Sequence, residues 1–382
     1  MGREMAQESG EGSGLSGEGT RLTDGGTRLT DEEPRLTGGT VLADGAVRFS
    51  EQDLALVEAL QAAPRAPWSR IGRALGVDAT TAARRWERLR AAGLAWVTAY
   101  DTVRTATVGF VEVSCRPQDQ AEVIEAACAM PWVFDVNQTS GDFDLLLSVA
   151  AEDLPALGRA VHRHIGELPG VRGLRVGVGI SLFGEGSDWR MRAMPPAGRA
   201  ELGPPRPQNK IAYSTQPFLR PTPQDQAVLD ALGVDGRLGY TGLAELTGLS
   251  EYAVRRRLQR MLNEGRMQLR CDMAYPLAGL SVHVVYRMRV PHHAVDVAGR
   301  TVARLEQVRM AASVSGPDNL LVHAVLHGMG DIGRFETLLA ERLPELEIRN
   351  RVMTFRTLKR VGWLLDAQGR AVGRVPLGPP PP

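Results

Sequence analysis

The chain has 382 residues, well above the usual size of one domain, so we expect more than one compact unit. Its formal net charge is only +1, so any affinity for nucleic acid must come from local clusters of basic residues. Its three cysteines, Cys115, Cys128 and Cys271, form no CxxC motif, which argues against a disulfide framework and a four-ligand zinc site. No apolar run is long enough for a membrane span, and no signal-peptide core is visible, so we expect a cytoplasmic protein.

Three segments have the composition of tails or linkers. Residues 1–47 repeat the triplet RLT among Gly, Thr, Asp and Pro, which predicts a disordered low-complexity tail. Residues 185–221 concentrate Gly and Pro, which predicts a semi-extended linker and not a folded segment. Residues 361–382 are predicted to be a C-terminal tail.

The first half of the remaining chain has two patterns in succession. Over 48–103, helix signals at 50–63, at 68–77 and from Asp78 to Gly93 predict a winged-type helix-turn-helix domain. Over 104–184 the periodicity predicts a ferredoxin-like βαββαβ unit. Its strands and helices are expected, in order, at 105–115, 117–130, 133–141, 142–150, 152–168 and 171–183.

The second half repeats this order. The stretch GVDATTAARRWERLRAAG begins at residue 76, and the similar GLSEYAVRRRLQRMLNEG begins 172 positions later. Helices at 223–232, 241–247 and 250–264 predict a second helix-turn-helix domain over 222–278, and residues 279–360 a second ferredoxin-like unit. Its elements are expected at 279–290, 292–306, 308–315, 319–327, 331–343 and 346–358. The sequence therefore predicts an α+β fold of two tandem units.

The third helix of each helix-turn-helix is rich in arginine. One face carries apolar residues that we expect to pack inward, Ala82, Trp86 and Leu89 in the first copy and Val254, Leu258 and Met261 in the second. The arginines are expected to project into solvent, where they could contact guanine or phosphate. The same pattern would also fit a solvated surface helix. The residues predicted to bind DNA are Thr80, Thr81, Arg84, Arg85, Arg88, Tyr252, Arg255, Arg256, Arg257 and Arg260.

The segment GLSEYAVRRRLQRMLNEGRM closely resembles the recognition segment of the Lrp/AsnC family of transcriptional regulators, and SGDFDLLLSVA resembles that family's Gly-Asp-aromatic-Asp turn. The resemblance implies a regulator whose regulatory domains pair sheet to sheet and bind a small effector, commonly an amino acid, near that turn. The implied effector residues are Gly141, Asp142, Phe143 and Asp144 in the first copy and Gly316, Asp318 and Asn319 in the second. The second copy departs from the pattern because Pro317 precedes Asp318, and Asn319 replaces an acid.

The duplication predicts an intramolecular pseudo-dimer that presents two different recognition helices to double-stranded DNA, and we also expect self-association through the regulatory domains. The pattern indicates no catalytic residues, no cofactor and no metal site, so we expect the protein not to be an enzyme. Two alternatives stay open. The siroheme decarboxylases resemble this family in fold while acting on tetrapyrroles, and the chain could also be a small-molecule sensor or scaffold that no longer binds DNA.

Overall fold

The computed structural model describes residues 48–101, 107–203 and 221–381, which all belong to the unit Gly38–Pro382. The predicted tail at 1–47 and the second part of the predicted linker lie outside the described residues. The helices are α1 (Glu51–Ala62), α2 (Trp68–Leu75), α3 (Ala79–Ala91), α4 (Gln120–Ala129), α5 (Leu154–Ala160), α6 (Pro196–Leu202), α7 (Pro223–Val234), α8 (Tyr240–Thr247), α9 (Glu251–Asn263), α10 (Val295–Val302) and α11 (Gly330–Arg342). A π-helical turn at Val161–Gly166 extends α5. Within the described ranges no helix is both long and apolar enough to cross a membrane.

The strands follow the predicted order within each half. They are β1 (Ala95–Asp101), β2 (Thr107–Cys115), β3 (Val133–Thr139), β4 (Leu145–Ala151), β5 (Val171–Gly184), β6 (Met267–Met273), β7 (Val282–Arg289), β8 (Val308–Val314), β9 (Leu320–Leu326), β10 (Glu347–Arg360), β11 (Trp363–Leu365) and β12 (Ala371–Arg374). The first sheet has the strand order β3-β4-β2-β5, and the second has the equivalent order β8-β9-β7-β10. Both are ferredoxin-like, which confirms the predicted α+β fold of two tandem units.

The two sheets join into one closed ring of eight strands. Strand β5 pairs with β2 over its first half and with β8 over its second, while β10 pairs first with β7 and then with β3. Each of these two strands has 14 residues, long enough to continue from its own sheet into the other. The exchange is reciprocal, so each half supplies the edge that the other would otherwise expose.

Apolar residues fill both sides of this ring. Between the sheets and the helices lie two separate cores, one around Trp132 and Leu147 and one around Tyr286 and Val322. Inside the ring, residues of both halves pack against each other, including Phe110 from the first half. Because these cores draw on both copies, the two regulatory units form a single body.

Strands β1 and β6 pair with each other in antiparallel register, from Ala95 opposite Met273 to Asp101 opposite Met267. This two-stranded ribbon joins the two helix-turn-helix domains directly. Neither strand was predicted from the sequence. The reason is that the first five residues of β1 are all buried, so its sequence does not show the alternation that marks a half-exposed strand.

Two segments predicted to be linker or tail are folded. In the predicted linker, Trp189, Met194 and Leu202 are buried in the core of the first helix-turn-helix domain, and α6 packs against α2. In the predicted tail, β11 and β12 extend the sheet from β10, and the amide of Ala371 donates to the carbonyl of Gly93 at 2.8 Å. The tail prediction was wrong, and the linker prediction was wrong for residues 185–203, because a few apolar anchors are enough to hold a segment whose overall composition is rich in Gly and Pro.

Candidate nucleic-acid interface

The third helices, α3 and α9, begin and end as the sequence predicts. The side chain of Asp78 caps α3 by accepting from the amide of Thr81, and Ser250 caps α9 in the same way. The buried residues of the two helices are Ala82, Trp86, Leu89, Val254, Leu258 and Met261. The predicted inward stripe is therefore present in both copies, and the opposite face of each helix is open to solvent.

The arginines of α3 do not all project freely. Asp53, on α1, is almost fully buried, and Arg88 forms an ion pair and hydrogen bond with its carboxylate. Arg85 approaches the same carboxylate at 3.7 Å and hydrogen-bonds to Gln52. These contacts fix the third helix to the first, and a buried carboxylate requires such partners.

The second domain repeats this arrangement at positions shifted by 172. The carboxylate of Asp225 accepts from Arg257 at 2.9 Å and from Arg260 at 2.8 Å, and Arg257 also hydrogen-bonds to Gln224. Burial of itself raises the pKa of Asp225, but hydrogen bonds from Thr222 and Arg257 and the charges of both arginines bring it below its ordinary value. The expectation that all the predicted arginines point freely into solvent is therefore wrong for Arg85, Arg88, Arg257 and Arg260.

A smaller set of the predicted DNA-binding residues faces solvent. Arg84 and Arg256 occupy equivalent positions, are exposed, and form no ion pair or hydrogen bond with any residue that the structure describes. Thr80 is exposed, whereas the hydroxyl of Thr81 donates to Asp78 at 2.6 Å. In the second copy, the exposed residues near the helix start are Tyr252, 75% exposed, and Arg255, whose guanidinium lies 4.6 Å from the ring centre of Tyr240.

A reciprocal pair of arginines holds the two helix-turn-helix domains together. Arg65 of the first domain donates to the carbonyls of Gly236 at 2.6 Å and Leu238 at 2.9 Å in the second. Arg237, at the equivalent position, donates to the carbonyls of Pro64 and Ala66 in the first.

Each of these arginines also lies over an aromatic ring, Arg237 at 3.9 Å from the centre of Trp68 and Arg65 at 5.7 Å from that of Tyr240. Burial lowers the pKa of Arg237 to about 10, and the nearby charge of Arg65 adds to this effect. This interface was not predicted from the sequence, because its partners are separated by more than 170 positions.

The two turns predicted to bind an effector have a visible structural role. Asp144 accepts from the amide of Cys115 at 2.7 Å, and Asn319 accepts from the amide of Val290 at 3.0 Å. Asn319 also donates to the carbonyl of Val290 at 2.8 Å, which explains why an amide can replace the acid here. Phe143 is buried in the core inside the ring.

The remaining turn residues are more accessible. Gly141 and Gly316 have φ values of 93° and 115°, the left-handed region that favours glycine. Asp142 is exposed, and Asp318 lies 3.8 Å from Arg349. Each turn lies beside the long strand of the other half, where the amide of Met353 donates to Ser140 Oγ and the amide of Val178 donates to Ser315 Oγ.

A cavity of about 170 Å³ lies elsewhere, beneath the β1–β6 ribbon. One of its residues, His323, also lines a smaller polar cavity inside the ring together with His283 on the neighbouring strand. Burial lowers the pKa of His323 to about 4, and burial, aided by the charge of Arg360, lowers that of His283 to about 3. The Nε2 atoms of both rings are buried without a hydrogen-bond partner in the described chain.

This pair was not predicted from the sequence, because only the register of the two strands brings the histidines together. In the ranges 48–101, 107–203 and 221–381, no cluster of His, Cys, Asp and Glu has the arrangement of a metal site.

Family models match three parts of the chain. A model of the AsnC-type helix-turn-helix domain matches residues 50–90 and 223–262, and a model of the Lrp/AsnC ligand binding domain matches residues 108–181. The chain is 29% identical over 126 residues to an uncharacterized HTH-type transcriptional regulator of Pyrococcus horikoshii, covering 31% of this chain and 84% of that protein. It is 25% identical over 141 residues to the HTH-type transcriptional regulator Ptr1 of Methanocaldococcus jannaschii, covering 35% and 94%.

The comparison with solved structures includes a similarity over most of the chain. The siroheme decarboxylase NirDL superposes with a TM-score of 0.53 at 13% identity, and the match covers 81% of this chain and 93% of NirDL. At that identity the likeness shows a shared duplicated fold and does not carry over an activity.

Proposed function

The chain belongs to the Lrp/AsnC family, with the helix-turn-helix and regulatory domains duplicated, and we propose that it is a transcriptional regulator that reads two half-sites with one chain. The AsnC-type helix-turn-helix matches and the regulator relatives support DNA binding as such. The finer proposal is that the two heads act as a fixed, unequal pair and respond to a small effector.

The observation that carries this proposal is the reciprocal interface of Arg65 and Arg237. Dimeric helix-turn-helix proteins place two recognition helices on half-sites about one helical turn apart, or a multiple of it, so the relative placement of the heads determines the operator. Here the placement is held by four carbonyl hydrogen bonds and by the β1–β6 ribbon, all within one chain. A single chain therefore holds two recognition helices at a fixed relative placement, which smaller regulators would obtain by forming a homodimer.

The two heads should prefer different half-sites. Arg84 and Arg256 are matched arginines with no ion pair or hydrogen bond to the part of the chain that the structure describes, and we assign to them contacts with bases or phosphates. The neighbouring helix starts differ, with Thr80 in one copy and Tyr252 in the other. Arg85, Arg88, Arg257 and Arg260 would then position the recognition helices through their buried aspartates, with phosphate contacts secondary.

The test is fluorescence anisotropy of the full chain on DNA from its own upstream region, against random DNA and across a salt series. We expect tighter binding to the upstream DNA and a steep salt dependence, because neutralised phosphates release counterions. Arg84→Ala and Arg256→Ala should each weaken binding by about 1–3 kcal/mol if the arginine contacts a base. Arg172→Ala, on the exposed part of β5, removes the same charge and should change little. Equal losses for all three variants would contradict the assignment.

A second candidate function is tetrapyrrole chemistry of the kind named for NirDL. The observation that favours it is the pair of buried imidazoles of His283 and His323 inside the ring, whose Nε2 atoms have no hydrogen-bond partner in the described part of the chain. Titration of the purified chain with an iron porphyrin would reveal a haem-like absorbance shift if this function applies. An unchanged spectrum, together with salt-dependent DNA binding, would leave the regulator proposal in place.

A further inference from the structure

The cavity beneath the β1–β6 ribbon, which we call the ribbon cavity, lies between the regulatory ring and the second helix-turn-helix domain. Its walls come from the ribbon at Tyr100, from α7 at Leu229, from the first sheet at Phe110 and Phe134, and from the second sheet at Met310. These side chains make most of its lining apolar. At about 170 Å³ it is smaller than the roughly 300–1,000 Å³ pockets that hold drug-sized ligands, so it suits a small metabolite.

One corner of the ribbon cavity is polar. Asp135, Arg309 and His323 line both this cavity and the smaller cavity inside the ring, so they mark where the two spaces meet. Arg309 uses Nε to donate to Tyr275 at 2.7 Å and one Nη to donate to Asp272 at 3.0 Å, and its second Nη has no such bond in the described chain.

The other two residues of this corner, His323 and Asp135, can each form a further polar contact. The Nε2 of His323 is enclosed without a partner among the residues that the structure describes. Asp135 accepts from the amide of Val361 at 2.9 Å, and burial raises its pKa against the opposing effect of Arg270. A cation beside this carboxylate would therefore offset its loss of solvation.

These groups match a molecule with one anionic end, one cationic end and an apolar body. A carboxylate would accept from Arg309 and from Nε2–H of His323, an ammonium would donate to Asp135, and an apolar side chain would cover Phe110, Phe134 and Leu229. We propose that the ribbon cavity binds a free amino acid with an apolar side chain. This places the effector of the proposed regulator away from the two Gly-Asp turns, and it rests on the proposed function only for its regulatory consequence.

The position of the cavity supplies that consequence. Its walls include β1, which is paired with β6 between the two heads, and α7, the first helix of the second head. A ligand in the cavity contacts both these elements and the ring, so its contacts change when the second helix-turn-helix domain shifts relative to the ring. A ligand that makes different contacts in two arrangements favours one of them, and this would couple the cavity to the DNA-binding helices.

The experiment is isothermal titration calorimetry of the full chain without DNA, using each common L-amino acid in turn. L-Phenylalanine is compared with 3-phenylpropionate, which lacks the ammonium, and with phenethylamine, which lacks the carboxylate. If the apolar amino acids bind, we expect the two analogues to bind on the order of tenfold to a hundredfold more weakly, the usual loss for a charged hydrogen bond. This comparison uses the wild-type chain and is independent of any folding defect in a variant.

Variants then locate the site. Asp135→Asn and His323→Leu should weaken amino-acid binding to a similar degree, whereas Asp142→Ala, in the first Gly-Asp turn, should leave it unchanged; circular dichroism confirms that each variant is folded. No binding of any amino acid, or binding lost in Asp142→Ala and kept in Asp135→Asn, would overturn the proposal. The calorimetry uses no DNA, so a failure to bind amino acids would not affect the anisotropy test of DNA binding. A failure to bind DNA would likewise not affect the calorimetry.

Discussion

A buried ion pair between the two halves offers a direct test of how the ring is held together. Arg287 on β7 donates a hydrogen bond from Nε to the carboxylate of Glu112 on β2 and forms an ion pair with it. The two residues are 175 positions apart, the same offset that relates the two regulatory units. They are 7% and 4% exposed. Equivalent positions thus contact each other with opposite charges, so pairing the first half with another first half would place glutamate against glutamate.

The expected loss of stability depends on the buried charge that each substitution leaves without its partner. Among the described residues, Arg287→Met leaves the buried Glu112 with Arg175 as its one ion-pair partner, at 3.7 Å. Leaving one partner of a buried pair uncompensated costs about 3–5 kcal/mol. The nearby Arg175 places the expected loss near the lower end, about 3 kcal/mol. Glu112→Gln should cost a similar amount, because it leaves the guanidinium of Arg287 without a counter-charge.

The double variant Glu112→Gln with Arg287→Met should lose clearly less than the sum of the single variants, because no uncompensated charge stays buried. We expect a coupling energy of about 2–3 kcal/mol, measured by urea unfolding followed by circular dichroism. Strictly additive losses would refute the view that these two residues recognise each other across the ring.

Three further predictions concern the buried charges. Asp225→Asn should lower the free energy of unfolding by about 2 kcal/mol at neutral pH. Because the folded-state pKa of Asp225 is lowered, this difference in stability from wild type should shrink as the pH falls below about 4, and a constant difference would contradict this. His323 and His283, with folded pKa values of about 4 and about 3, both take up a proton more readily when unfolded, so each should contribute about 2 kcal/mol to the fall in stability between pH 7 and pH 5. His323→Gln should remove about half of that decline in unfolding titrations, and an unchanged decline would contradict this. Arg237→Ala should destabilise the paired heads by about 2 kcal/mol and weaken DNA binding, whereas preserved affinity would argue against a fixed pair.

Local signals in the sequence predicted the elements well. Ser50 forms the capping box that begins α1, and Gly76 ends α2 in the left-handed conformation, so both boundaries follow from neighbouring residues. The apolar period of α3 and α9 likewise predicted which residues are buried. Duplication predicted the two-unit fold, since equivalent landmarks recur 172 positions apart in the helix-turn-helix domains and 175 apart in the regulatory units.

Long-range pairing is what sequence reasoning missed. The contact of Arg88 with Asp53 joins residues 35 positions apart, and that of Arg237 with Pro64 joins residues 173 apart, so no local period marks either. For that reason the arginines, which resemble one uniform basic face in the sequence, fall into two groups. Some bind a buried aspartate, and others have no ion pair among the described residues. Asp144 is a further example. Its turn is recognisable in the sequence, but the hydrogen bond that its carboxylate accepts from the amide of Cys115 is not.

The measurement that tests the central claim most directly is the stoichiometry and spacing requirement of the DNA complex. Sedimentation of the full chain on the DNA fragment selected by anisotropy should give one chain for each pair of half-sites. Inserting about five base pairs, half a helical turn, between the half-sites should abolish the tight complex, because the heads are held at one separation. A complex in which a separate chain occupies each half-site, or affinity that is indifferent to the insertion, would contradict the two-headed reader.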